Sequence, residues 1–147
     1  MHDLALARAL HVIGVVLWIG GVAMVTLIVL PQGLARFEQV ERAFARQARI
    51  TTLITGASGF YLVHRLGLWP RFSMGEFWWM HAMVALWLLF TFVLFVLEPL
   101  FLHRWFSGRA RADPASALRL AARFHWILLA LSLATIAGAA AGSHGLL

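Results

Sequence analysis

Four apolar runs, each near the length that crosses a bilayer, constrain this chain more than any other feature of it. They are Ala9 to Leu30, closed by Pro31; Ile50 to Val63; Phe77 to Leu97, between Glu76 and Glu98; and Phe124 to Gly142. A helix needs about 20 mostly apolar residues to cross the hydrocarbon core. The second run is the shortest and gains length from its flanks. Together the runs predict spans at about 9–30, 50–66, 77–98 and 122–142 of one domain covering residues 1–147. Apolar residues make up 62% of the 147 and charged residues only 12%. A soluble domain carries about 45–50% and about 25%, so a soluble globule and a disordered chain are both excluded. Cysteine is absent, which removes disulfides, thiolate metal sites and cysteine nucleophiles. The first run is too long for a signal peptide and lacks a convincing cleavage site. The expected fold class is all-α, an integral membrane four-helix bundle in contact with the lipid bilayer.

The net charge of +6 comes from twelve arginines and no lysine. They sit between the apolar runs, where they orient spans rather than bind nucleic acid. Arg36, Arg42, Arg46 and Arg49 separate runs one and two, and Arg104, Arg109, Arg111, Arg119 and Arg123 separate runs three and four. The other side has Arg8, Arg65 and Arg71. Nine against three places the Arg-rich loops in the cytoplasm and turns both termini outward. Leu34, Phe37, Val40 and Phe44 recur at helical spacing among charges. They read as an amphipathic helix on the inner surface or as an extension of span two. Asp113-Pro114 with Ser116 has the form of a helix start leading into span four.

Helices in lipid associate through small residues and polar links. Gly14, Gly20 and Gly21 in span one, Gly56 to Gly59 in span two and the Ala/Gly-rich end of span four are the packing candidates. Span three is crowded with Phe77, Trp78, Trp79, Trp87, Phe90, Phe92 and Phe95. Such a helix fills space around a cofactor or faces lipid with an aromatic belt.

Seven histidines in so apolar a chain carry the chemistry. His11, His64 and His81 fall at similar depth on the outer side. Imidazoles from facing helices at matched depth are what a bis-histidine b-type haem requires. His11 and His81 are the preferred axial pair, with His64 as substitute. Gly14 leaves room for a flat ring, Trp18 can pack on it, and Arg8 and Arg65 can pair with propionates. Met80 and Met83 flank His81 and would give copper an outer His/Met site, methionine thioethers being soft ligands. On the inner side His125 lies level with Glu98; the pair reads as a proton relay, a quinone contact or a buried polar clasp. A second haem on His103 and His125 is disfavoured because Pro99 disturbs the helix before His103. No Walker loop, nucleophile elbow, H-E-x-x-H or dinucleotide fingerprint is present.

The first span, Ala9-Leu10-His11-Val12-Ile13-Gly14-Val15-Val16-Leu17-Trp18-Ile19-Gly20-Gly21, resembles the opening helix of the copper resistance protein D (CopD) family. Trp79-Met80-His81-Ala82-Met83 is similar to that family's His-bearing third helix. The arrangement also resembles the HemJ-type protoporphyrinogen oxidases. The resemblance implies a four-helix inner-membrane protein with haem b or copper chemistry at His11 and His81. The leading expectation is therefore haem b electron transfer near the periplasmic face, with a quinone or a periplasmic redox partner and a possible homo-oligomeric assembly. Copper uptake or delivery, protoporphyrinogen oxidation and a non-redox accessory role are the alternatives.

Overall fold

A computed structural model describes residues 2–144, with the side chains at 101–103 outside the description. Among the described residues all regular structure is helical. Helix α1 (His2–Met24) runs on through a π-helical turn, Val25–Val29, and a 3-10 turn, Leu30–Gln32. Helix α2 (Leu34–Arg65) follows, then two 3-10 turns, Trp69–Ser73 and Gly75–Phe77. Helix α3 (Trp78–Phe92) widens into a π-helical stretch, Val93–Leu102, and leads into α4 (His103–Ala112); α5 (Pro114–Ser143) closes the chain.

The breaks follow from local chemistry. Pro31 has no amide hydrogen and ends the first rod, and Gly33 turns the chain at φ 100°, a conformation that side chains disfavour. The segment at 33–49 is an extension of the second rod, not a separate surface helix, because Phe37, Ala45 and Ala48 are buried against the other helices. Pro99 widens its helix without ending it. At α5 the expected start is found: the Asp113 carboxylate accepts from the Ser116 amide at 3.0 Å, with Pro114 in the first turn.

Three rods, His2–Gln32, Gly75–Leu100 and Pro114–Ser143, are long and apolar enough to cross a membrane. Their outer faces leave large apolar side chains in the open, among them Leu6, Val12 and Val16 on α1 and Trp126, Ile127 and Leu133 on α5. Water would make so much apolar surface costly; a bilayer makes it the favoured exterior. The helix α2 has the length but not the composition. Its residues Thr51, Thr52, Thr55, Gly56 and Ser58 are buried within the protein, while Ile50, Leu53 and Phe60 remain exposed.

Glycines set the helix spacing. A Cβ at Gly14 would stand 2.5 Å from the Thr55 hydroxyl, and one at Gly21 would stand 2.9 Å from the Phe44 ring, so α1 and α2 approach at both points. The tryptophans of α3 seat on glycines of its neighbours: Trp87 on Gly56 of α2, and Trp78 and Trp79 on Gly138 and Gly142 of α5. Between these contacts lies a core of Trp18, Val22, Ala48, Phe90, Leu128 and Leu129. The aromatic residues of α3 are thus largely knobs for glycine sockets.

Gly56→Ala is expected to push Trp87 aside and lower stability by about 1–3 kcal/mol, the usual cost of overpacking. Gly20→Ala, where nothing lies within 4 Å, is expected to be neutral or to gain up to about 1 kcal/mol in helix propensity. Thermal unfolding of the two variants in one detergent, followed by circular dichroism, checks the contrast.

Candidate functional site

The outer histidines do not converge. His11 lies against α2: its Nδ1 donates to the Thr55 carbonyl at 3.0 Å, with the Ser58 hydroxyl 3.3 Å away. A carbonyl can only accept, so in the neutral ring the proton sits on Nδ1 and Nε2 keeps its lone pair. A metal-binding histidine is oriented in this way by a backbone carbonyl. Gly59 makes the approach possible, since a Cβ there would stand 3.0 Å from the His11 ring.

His81 is on the exposed face of α3, where its Nε2 donates to the Phe72 carbonyl at 3.0 Å and its ring packs edge-on against Phe72. No hydrogen bond or ring contact joins it to His11 among the described residues. Met80 is buried on the other side. Adjacent helical residues point about 100° apart, so Met80 and His81 do not face one site. Nor do the other expected members gather at His11. The space at Gly14 is taken by Thr55. Trp18 is buried deeper, edge-on to Phe90 at 4.8 Å. Arg65 is engaged with Asp3 at 2.9 Å, and Tyr61 donates to the same carboxylate at 3.0 Å, which ties the end of α2 to the start of α1. Arg8 and His64 are exposed. His11 by itself fits a ligand position. No group of three or more His, Asp or Glu residues among those described could hold a metal ion.

The opposite, Arg-rich end holds a cavity of about 330 Å³. Its wall combines aromatic rings, including Phe37, Phe44, Phe90 and Phe124, with Glu41, Glu98 and His125. His125 does not pair with Glu98. Its Nδ1 donates to the Ala121 carbonyl of its own helix at 2.9 Å, and Phe37 packs edge-on to the ring at 5.6 Å. The neutral ring therefore has its acceptor, Nε2, to spare.

Glu98 is paired instead with Arg49 of α2. Arg49 has a second task. In a π-helix the amide of residue i bonds to the carbonyl of residue i−5. Pro99 has no amide hydrogen, which leaves the Leu94 carbonyl without its helical donor. Arg49 Nε supplies one, at 3.0 Å. One guanidinium thus bridges α2 to the carbonyl freed by Pro99 and to the carboxylate beside it. Sequence reasoning counted Arg49 only among the orienting charges. The available signals were the proline inside an apolar run, which demands a substitute donor, and the spacing of Arg49, Thr52, Gly56 and Gly59 along one face of α2.

These features define the class: an all-helical membrane protein with a built apolar cavity at one end and an oriented histidine toward the other. No protein-family model, curated protein or solved structure matches the chain.

Arg49→Met should lower stability by about 1–3 kcal/mol, because it strands both the Glu98 carboxylate and the Leu94 carbonyl. Arg49→Lys should recover only part of that loss, since one ammonium cannot reproduce the guanidinium fork. Thermal unfolding of the two variants, with Glu98→Gln added to complete a double-mutant cycle, measures the coupling.

Proposed function

We propose that this is a four-span protein of the bacterial inner membrane, with both termini in the periplasm, that binds a lipid-soluble hydroquinone in the cavity at its cytoplasmic end. The cavity wall carries this reading. His125 offers Nε2 as an acceptor beside the carboxylates of Glu41 and Glu98, and the remaining surface is chiefly aromatic and aliphatic. Such a wall favours a flat apolar ring that donates hydrogen bonds, which describes a hydroquinone better than its oxidised form. The volume suits one ring headgroup and the start of its tail, and the apolar exterior gives a membrane-dissolved ligand access from lipid.

The test is titration of the detergent-solubilised protein with a short-chain benzohydroquinone kept reduced, followed by tryptophan fluorescence. Saturable binding is expected, weakened about tenfold or more in His125→Leu by loss of one hydrogen bond to a buried ring. Equal binding by the His125→Leu variant, or no saturation at all, overturns the reading.

The topology has its own test in a chain without native cysteine. Gly75→Cys should react with a membrane-impermeant thiol reagent added to the periplasmic side, and Gly108→Cys should react only after the membrane is opened. The reverse pattern rejects the proposed orientation.

A second reading, haem b electron transfer, is favoured by one observation: the carbonyl-held ring of His11, with Nε2 left as a ligand. It is the chemistry that the resemblance of the first and third spans to CopD and HemJ proteins would imply. Bound haem would supply one-electron chemistry at the outer end, with His11 as the ligand this chain provides. Purified protein should then show haem absorption bands that sharpen on reduction and vanish in His11→Ala. A colourless, iron-free protein that stays so after haem reconstitution rejects this reading.

A further inference from the structure

Buried hydroxyls in this protein follow one rule, with three exceptions. Thr26, Thr51, Ser58, Ser132 and Thr135 each donate to a carbonyl of the preceding turn of their own helix, at 2.6–3.0 Å. That is the usual solution for a hydroxyl without water. The hydroxyls of Thr52, Thr55 and Thr91 are equally hidden and have no partner, and the same is true of the Trp18 indole nitrogen. Thr52 is 0%, Trp18 3% and Thr55 5% exposed.

The four residues come from three helices but belong to one region. Gln47 Nε2 donates to the Leu17 carbonyl, and Gly14 faces Thr55. Trp18, adjacent to Leu17, therefore lies level with Gln47 and Ala48, about one turn inward of Thr52. Trp87 Nε1 donates to the Thr52 carbonyl and Arg49 Nε to the Leu94 carbonyl, so Thr91 lies between those two crossings. Thr55 is one turn outward, and its carbonyl holds His11. One turn inward are Val22 and Ala48, which line the cavity together with Phe90, the ring partner of Trp18.

We propose that ordered water occupies this region, bound by Trp18 Nε1 and the hydroxyls of Thr52, Thr55 and Thr91, and that it extends the inner cavity toward His11. Four unpaired polar atoms in an apolar interior carry a desolvation cost at each atom. A buried water recovers that cost when it finds two to four polar partners, and here the partners are three hydroxyls, each able to donate and accept, and one indole donor. The water lies between the turn of α2 that holds His11 and the turn of Val22 and Ala48 at the cavity wall, whether or not a hydroquinone binds.

The experiment has two readouts on the full-length protein. The first is radiolytic hydroxyl labelling in oxygen-18 water, analysed by mass spectrometry. Trp18, although buried, should take up the solvent label, and Thr52→Val combined with Thr91→Val should reduce that uptake several-fold. Thr52→Ser keeps the hydroxyl and should leave it unchanged. The second readout is the sign of the stability change. If water is bound, each Thr→Val substitution strips a partner from it and lowers Tm, by about 3–6 °C for each tenfold loss of folding equilibrium. If the region is dry, the same near-isosteric change removes an unsatisfied hydroxyl and raises Tm. An unlabelled Trp18, or raised Tm in Thr52→Val and Thr91→Val, overturns the proposal.

Discussion

The seating of α3 tryptophans on glycines is the interaction on which the remaining structure depends. Trp87 lies against Gly56, Trp78 against Gly138 and Trp79 against Gly142. In lipid, apolar side chains gain nothing by leaving water, so helices hold together through close packing and polar links. A large indole against a bare backbone supplies extensive dispersion contact at one point. Two of these contacts fix α3 to α5 and one fixes it to α2. The Gly14–Thr55 approach then fixes α1 to α2, and the cavity is what remains where the four meet at the Arg-rich end.

At that end the proline at 99 is a structural device. It costs the helix a donor, and the freed carbonyl of Leu94 is recovered by Arg49, which also neutralises Glu98. The widened π-helical stretch contributes Val93, Leu94 and Leu97 to the cavity wall. A regular helix without the proline would have no use for Arg49 at that carbonyl. The break, the ion pair and the cavity therefore form one unit, and π-turns placed at functional positions are a recurrent feature of helices.

The histidines separate by environment rather than by depth. His11 and His125 are partly buried, and each donates through Nδ1 to a backbone carbonyl, which leaves Nε2 to meet a ligand. His81 has turned to the Phe72 carbonyl in the preceding turn and helps to close the connection that precedes α3.

Much of this protein is legible in the order of its residues. The apolar runs, the arginine pattern, the Asp113 cap and the Pro31 and Pro99 breaks are local, and each acts through spacing, backbone chemistry or transfer out of water. They define an all-helical membrane chain, the turn at Pro31 and the start at Asp113, while α2 begins at Leu34, well before its apolar run. The sequence also marked the glycines and the aromatic residues, but not which glycine receives which ring. Residue order leaves open that Gly14 faces Thr55, that Trp18 faces Phe90, that Glu98 meets Arg49 rather than His125, and that His81 donates to the Phe72 carbonyl. Each of these depends on the rotation of one helix about its axis relative to another. A difference of one residue moves a side chain by about 100°, and spacing along a single helix says nothing about the rotation of its neighbour.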